Sequence, residues 1–175
     1  MESSNRIIPL NIRKASVKDV FSVWHLLQKG IAKRKEEGSN QWQDGYPNES
    51  VVKNDIQSSY GYVIENDKDQ LVGYFALIFD TEPAYEKLEG TWLSNQEYAV
   101  IHRLVTDPVH KVKGMAEWIL LEIESIVKSK SVHSIKVDTN FDNGAMLHLF
   151  NKLGYQYCGE VYFRGSARKA FEKRL

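Results

Sequence analysis

The stretch that decides the fold is TDPVHKVKGMAEWILLEIESI, Thr106–Ile126. A strand-like segment ends at Pro108, and an amphipathic helix follows after a single glycine. Three basic or potentially basic side chains lie between them: His110, Lys111 and Lys113. Cations and a glycine before a helix indicate a bound anion, often a phosphate, held by the amides of the helix N-terminus. We therefore expect an anion site where this helix begins.

The glycine is Gly114, which lets the backbone pass close to a ligand. Backbone amides around it are expected to form the anion nest, and the helix dipole adds roughly half a positive charge there. The residues concerned are Val112, Lys113, Gly114, Met115 and Ala116. One glycine is a weak motif. A plain strand-to-helix turn with solvated lysines therefore remains an alternative for these residues.

Length and composition indicate an ordinary globular protein. A chain of 175 residues fits one domain, 1–175, and can bury a substantial core. The formal net charge is zero, which argues against a general electrostatic hold on nucleic acid. Cys158 is the only cysteine, so no intramolecular disulfide can form, and we expect it to be a small buried strand residue.

The same composition predicts a location away from membranes. No apolar run approaches the roughly 20 residues needed to span a bilayer. The N-terminal segment MESSNRIIPLNIRK lacks the apolar region of a signal peptide. We therefore expect a cytoplasmic protein that binds neither nucleic acid nor a membrane.

Hydrophobic periodicity predicts seven strands. They are Ile7–Arg13, Tyr62–Glu65, Leu71–Asp80, Tyr98–Thr106, Ser134–Thr139, Gln156–Phe163 and Arg168–Glu172. The segment 66–70 predicts a hairpin turn between the second and third strands. The segment 81–96 is expected to be a loop in which short secondary structure can form.

Four helices are expected between these strands. Ser16 and Asp19 resemble a capping box. They open a helix whose apolar side is Val17, Val20, Phe21, Trp24, Leu27 and Ile31. The segment 33–40, KRKEEGSN, is interpreted as a polar break. A short helix begins near Asn48, a third follows Gly114, and a fourth ends at Gly154, which is expected to occupy the C′ position.

This order of elements predicts an α/β (α+β) fold, in which helices cover both faces of one mixed sheet. The unit from Tyr98 to Thr139 is strand, loop, helix and strand. Such a unit predicts a right-handed parallel crossover.

Two segments of the chain resemble the GNAT superfamily of N-acetyltransferases. The acyl-CoA-binding motif of that family is a strand ending near V-x-P, followed by [R/Q]-x-x-G-x-[G/A] at the start of a long helix. Thr106-Asp-Pro108 and Lys111-Val-Lys-Gly114-Met-Ala116 occupy those positions, with two mild departures. The second family segment, N-x-x-A/M-x-x-L-x-x-x-G-[F/Y], is similar to Val137–Tyr155. The resemblance extends across nearly the whole chain.

The resemblance implies a mostly antiparallel central sheet with a V-shaped split between two parallel strands. Acetyl-CoA would lie in that split. The backbone of Leu104, Val105 and Thr106 would pair with pantetheine like an added strand. The nest at Lys111–Ala116 would hold the pyrophosphate. Asn143 would bind pantetheine or another part of the cofactor, although a helix cap explains Asn143 equally well.

The resemblance also implies direct attack of an amine on the thioester, which needs a base. Many family members place a Glu at the strand position of His102. Imidazole has an ordinary pKa of about 6.5, so His102 is the expected base, with a structural histidine as the alternative. Phe150 stands at the usual position of a Tyr acid and cannot donate a proton. Tyr155 is the candidate acid, and Tyr157, two residues further along the chain, is a second tyrosine that could serve. A mechanism that needs no acid is the alternative.

The acceptor pocket is expected to have aromatic walls: Trp42, Tyr46 and Trp92. Packing is the alternative for all three. The function implied by the resemblance is transfer of acetyl from acetyl-CoA to a primary amine of a small molecule or, as second choice, of a peptide. A non-catalytic acyl-CoA sensor or scaffold is the alternative, favoured by Phe150. No metal site is expected, and a homodimer is left open.

Overall fold

The computed structural model describes residues 9–110 and 112–175. The strands in these ranges are β1 Leu10–Lys14, β2 Gly61–Asn66, β3 Leu71–Ile78, β4 Glu89–Gly90, β5 Ala99–Thr106, β6 Ser134–Thr139, β7 Gln156–Phe163 and β8 Ser166–Arg174. The α-helices are α1 Val20–Glu36, α2 Glu49–Gln57, α3 Pro83–Glu86, α4 Met115–Ser129 and α5 Gly144–Lys152. Lys111 and the first residues of the predicted N-terminal strand lie outside the described residues.

The strands form one mixed sheet in the order β1-β2-β3-β5-β6-β8-β7-β4. β5 and β6 are parallel and are joined through α4, as the crossover pattern predicts. The other neighbouring pairs are antiparallel. The predicted fold class is therefore confirmed.

Helices cover both faces of the sheet, because side chains alternate along the strands. On one face, Val63 and Tyr74 pack with α1 and α2. On the other face, Ile64 and Phe75 pack with α4 and α5. A smaller apolar cluster around Tyr85 lies between α3 and the strands β7 and β8.

A β-bulge in β5 changes which face its side chains reach. Ile101 packs on the α4 side and Val105 on the α1 side, although residues four apart on a regular strand share a face. Arg103, between them, has a φ of 56°, and the register with β3 shifts nearby. The bulge accounts for the switch of face and directs Arg103 towards α2.

The first helix differs from its predicted form. α1 continues to Glu36, so the first residues of the predicted polar break at 33–40 are helical. Val17 and Phe21, predicted to be on the apolar side, are 73% and 79% exposed. The residues of α1 that are buried are Val23, Leu26, Leu27 and Gly30. The prediction followed the right period but included residues on the solvent side of the helix.

Other local predictions are confirmed. The Asp19 carboxylate accepts a hydrogen bond of 2.7 Å from the Ser16 N–H, as in a capping box. Asn48 caps α2 by accepting from the Val51 N–H at 3.1 Å. Cys158 is a buried residue of β7, and burial raises the pKa of its thiol. In the described part of the chain, every helix is too short or too polar to cross a membrane.

Candidate active site

The two parallel strands at the centre of the sheet pair only where they begin. Ala99 lies opposite Ile135 and Val100 opposite Lys136, and the described pairing ends there. Beyond these positions the strands part, which is the V-shaped split that the family resemblance implies. The side of β5 that faces the split carries backbone groups able to pair with an extended ligand.

One cavity of about 890 Å³, here named the nest cavity, opens beside the split. It brings together the predicted cofactor-binding residues that the structure describes: Leu104, Val105, Thr106, Val112, Lys113, Gly114, Met115, Ala116 and Asn143. They come from the end of β5, the start of α4 and the start of α5. Lys111 lies outside the described residues.

The start of α4 has the backbone form that an anion nest needs. Gly114 has a φ of 79°, and a Cβ placed there would have no atom within 4 Å. The Met115 N–H donates to the Val112 carbonyl at 3.0 Å. The next amides, of Ala116 and Glu117, belong to the helix turn that has no intrahelical acceptor. Open space, a left-handed glycine and amides without an intrahelical acceptor therefore coincide at one point.

Basic side chains reach this cavity from α1 as well. Lys33 and Arg34 line it, next to Lys113 from the loop before α4. The sequence did not indicate this position, because the charged composition of residues 33–40 resembles that of a polar break. Among the described residues, the basic side chains near the N-terminus of α4 therefore come from two separate segments of the chain.

His110 points away from this anion site. Its Nδ1 lies 3.2 Å from the Asp107 carboxylate, and Lys29 contacts the same carboxylate at 3.2 Å. Burial would raise the pKa of Asp107, but hydrogen bonds from the Val109 N–H and from the His110 and Lys29 side chains lower it overall. Asp107 thus fixes the loop before α4 to α1.

Asn143 serves as a helix cap and also lines the nest cavity. Its Oδ1 accepts from the Met146 N–H at 3.2 Å, and its Nδ2 donates to Gln41 at 3.2 Å. Nearby, the Ser39 hydroxyl donates to Asp142 at 2.8 Å. These contacts tie the segment after α1 to the turn before α5, across the split.

A second cavity of about 500 Å³, here named the histidine cavity, adjoins the first. The predicted base His102, the aromatic residues Trp42 and Tyr46, and Phe150 line it. Residues shared by both cavities are Arg34, Gln41, Leu104, Asn143 and Met146. A ligand held along Leu104 would therefore pass from one cavity towards the other.

His102 is bonded to a carboxylate that could not be predicted from the sequence. Its Nε2 lies 3.1 Å from Glu82 Oε2, and this hydrogen bond lowers the pKa of Glu82. The other Glu82 oxygen caps α3 by accepting from the Ala84 N–H at 3.3 Å. In the sequence, Pro83 indicates only that a helix begins next to Glu82. It does not mark the Glu82 carboxylate as a partner of His102.

A second acidic group lines the histidine cavity. Asp138, on β6, accepts a 2.6 Å hydrogen bond from the Tyr85 hydroxyl. Burial raises the pKa of Asp138 and also that of Tyr85. Neither residue was singled out from the sequence, since strand periodicity does not show which polar residue faces a split.

Two predicted site residues lie away from both cavities. The Trp92 indole N–H donates to the Tyr85 carbonyl at 2.9 Å, and its ring lies 4.4 Å from the Lys136 ammonium. Tyr155 is buried against Phe150 in the core beside α4, and burial raises the pKa of its phenol. Trp92 is thus a packing residue behind Tyr85, and the structure does not bring Tyr155 to His102.

The wall beside Tyr46 is fixed by a buried ion pair. Arg103 donates to both oxygens of Asp55, at 2.8 and 2.6 Å, and to the Tyr46 hydroxyl at 2.6 Å. The Tyr74 hydroxyl donates to the same Asp55 at 2.8 Å. This network attaches α2 and the Tyr46 loop to β5.

Comparison with known proteins places this architecture among acyl-CoA-dependent acetyltransferases. Residues 27–155 match the acetyltransferase (GNAT) family, and the chain therefore belongs to that family. The family uses acetyl-CoA as its acetyl donor. No curated protein sequence matched the chain.

Solved structures agree over nearly the whole chain. A GNAT-family acetyltransferase from Streptococcus agalactiae is 32% identical, with a TM-score of 0.85 and 95% of each chain covered. A GNAT-family acetyltransferase from Listeria monocytogenes is 19% identical, with a TM-score of 0.77 and 95% of each chain covered. The PaiA N-acetyltransferase from Thermoplasma acidophilum, solved with coenzyme A, is 19% identical, with a TM-score of 0.68 and 95% and 99% covered.

Proposed function

We propose that the protein transfers the acetyl group of acetyl-CoA directly to a primary amine of a small molecule. The observation that carries the proposal is the meeting of the two cavities at the split. A donor held along Leu104–Thr106 would present its thioester end beside His102. No covalent enzyme intermediate is needed in this arrangement.

The described residues of the nest cavity fit acetyl-CoA. The amides of Ala116 and Glu117 would bind the pyrophosphate at the open start of α4, with Lys33 and Lys113 adding positive charge. The backbone of β5 would pair with pantetheine as an added strand. Acetyl-CoA supplies an activated thioester, and the chain's own groups orient it.

The amine must lose a proton before it can attack, because an ammonium ion is not a nucleophile. His102 is the proposed proton acceptor, either directly or through water. Glu82 orients the imidazole through the 3.1 Å hydrogen bond. The two side chains together are therefore the proposed base.

The proposal requires no protein acid. Phe150 lines the histidine cavity and has no proton to give, and Tyr155 lines neither cavity. The thiolate of CoA is a tolerable leaving group and can take its proton from water.

A second candidate function is an acyl-CoA sensor or scaffold without turnover. Phe150 at the position of the usual tyrosine favours it. The His102–Glu82 pair favours the enzyme, because a sensor has no need of a proton acceptor beside the split.

Thiol release from acetyl-CoA distinguishes the two functions. The purified protein is incubated with acetyl-CoA and a panel of small primary amines, with a peptide bearing a free N-terminus as comparator. Amine-dependent thiol release, with an acetylated small-molecule product in the mass spectrum, supports the proposal. Binding of acetyl-CoA without thiol release on any amine supports the sensor, and acetylation of the peptide alone overturns the choice of a small molecule.

A further inference from the structure

Two of the arginines that line the histidine cavity form no ion pair with a described carboxylate. Four arginines line it: Arg34, Arg103, Arg164 and Arg168. Asp55 pairs with Arg103 at 2.6 Å, and Asp44 pairs with Arg164 at 2.7 Å. Among the described residues, Arg34 and Arg168 have no carboxylate oxygen within 4.0 Å. These two guanidinium groups are the ones available to a ligand.

Arg168 is buried, since only 7% of the residue is exposed. Its Nη1 donates to the Ser166 hydroxyl at 2.6 Å and to the Ala167 carbonyl at 3.5 Å. Its Nε and Nη2 make no hydrogen bond to any residue in the described ranges. A buried cation is normally paired, so a guanidinium that lines a cavity with unused donors points to an anionic ligand group.

Arg34 has other contacts. Its guanidinium lies 3.6 Å from the centre of the Trp42 ring, and it donates to Gln41 and to the Gly30 carbonyl, both at 3.3 Å. It also lines the nest cavity. Arg34 is therefore placed at the junction with the donor, whereas Arg168 belongs to the histidine cavity alone.

The strand register places Arg168 close to Asp138, which lines the same cavity as the proposed base. Asp138 on β6 lies opposite Ala170 on β8, and Arg168 is two residues earlier on the same face. Two residues along a strand and one strand across correspond to about 8 Å between Cα atoms. His102 and Asp138 line the same cavity. One small molecule can therefore contact Arg168 at one end and the His102–Glu82 pair at the other.

We propose that the acceptor amine carries a carboxylate and is a free amino acid or a close relative. Arg168 binds the carboxylate through its unused donors, and the amine of the same molecule faces His102. A guanidinium is a planar fork that matches a carboxylate with two parallel hydrogen bonds. The inference rests on the proposed function and specifies its substrate class. An acceptor without the carboxylate leaves Arg168 unpaired, which is how a polar site rejects a close analogue.

The test compares amino acids with matched molecules that lack the acid. Each protein L-amino acid is assayed by thiol release beside its amide and its decarboxylated amine. At least one amino acid is expected to exceed both partners by about 100-fold or more in kcat/KM. Arg168→Gln is expected to remove that preference by lowering kcat/KM for the acid alone, and Arg168→Lys to retain part of it. Arg174→Gln, an exposed arginine on the same strand, is the control and keeps the preference.

Two results would overturn the inference. One is a wild-type enzyme that uses acids, amides and amines equally. The other is an Arg168→Gln variant that loses activity equally on all three, which indicates a structural role.

A binding measurement separates failure of this inference from failure of the proposed function. Calorimetric titration of the CoA-saturated protein with the same amino acids and amides needs no turnover. Binding of an amino acid that is lost in Arg168→Gln, with acetyl-CoA affinity unchanged, supports the carboxylate site even if no thiol is released. Absence of binding for every amino acid overturns it, whatever activity other amines show.

Discussion

The His102 imidazole and the Glu82 carboxylate share one hydrogen bond at the edge of the histidine cavity. That bond lowers the pKa of Glu82, so its carboxylate stays ionised at neutral pH. The carboxylate orients the imidazole, because its oxygen is hydrogen-bonded to one of the two ring nitrogens. The pair is therefore placed to accept the proton of an ammonium group in this cavity.

Replacing His102 tests this role. His102→Ala is expected to lower kcat by about 100-fold while the affinity for acetyl-CoA stays unchanged, because a lost base affects proton transfer and not donor binding. Steady-state thiol release against pH and calorimetric titration measure the two quantities. His25→Ala, an exposed histidine of α1, is the control. Equal turnover by His102→Ala across the pH range would remove His102 as the base.

Gly114 is the residue on which the anion site depends most. Gly114→Glu is expected to abolish binding of acetyl-CoA, because a side chain and a negative charge would fill the open space where the pyrophosphate is proposed to lie. Gly154→Glu is a matched control: Gly154 also has a positive φ and open space around it, and it lines neither cavity. Calorimetric titration reports both affinities. Equal affinity in a folded Gly114→Glu variant would contradict the site assignment.

At the scale of single elements, a short network fixes the start of α1. Arg13 on β1 donates to both oxygens of Asp19, at 2.8 and 2.9 Å, and the Ser16 N–H donates to the same carboxylate. The hydrogen bond from Arg13 is the largest cause of the lowered pKa of Asp19. The ionised form of Asp19 is therefore favoured by folding.

The stability that Asp19 contributes should depend on pH. Asp19→Ala is expected to lower the free energy of unfolding by about 1–2 kcal/mol at neutral pH. Because the folded pKa lies below the ordinary 3.8, the difference from wild type should be full above about pH 5 and shrink as pH falls through the folded pKa. Urea unfolding at several pH values measures it, with Asp67→Ala in the exposed turn as control. A difference that is constant with pH would contradict this account.

The attachment of α2 to β5 depends on the buried pair Asp55–Arg103. Asp55→Ala is expected to lower the free energy of unfolding by about 3–5 kcal/mol, because it leaves the Arg103 cation buried without its carboxylate. The double variant Asp55→Leu with Arg103→Met should recover part of that loss. Urea denaturation measures both. Lys53→Ala, an exposed change in the same helix, should stay within about 0.5 kcal/mol of wild type, and an Asp55→Ala loss that small would refute the role of the pair.

A helix or strand could be predicted from the sequence where the residues that determine it are neighbours along the chain. β6 and β7 begin and end where apolar periodicity predicts, since their patterns are bounded by turn residues. The bulge at Arg103 left no such signal, because it depends on a buried partner in α2. The end of α1 was predicted too early, because charged residues on an exposed helix face resemble a loop in composition.

At the scale of the whole molecule, the site depends on contacts between distant segments. The strand-to-helix motif around Gly114 was predictable because its glycine, its cations and its helix are neighbours in sequence. Glu82, Asp138 and Arg168 were not, because each reaches the histidine cavity from a different segment and none has a local pattern that marks it. A single domain and a cytoplasmic location stay predictions, and the oligomeric state was not predicted.

The proposed function depends on a site for acetyl-CoA where β5 and β6 part. Calorimetric titration of the purified protein with acetyl-CoA, with CoA and NAD as comparators, measures binding at that site. We expect micromolar binding of acetyl-CoA and CoA and no binding of NAD. No heat with acetyl-CoA, or equal binding of NAD, would mean that the segment from Val112 to Ala116 is only a turn between a strand and a helix.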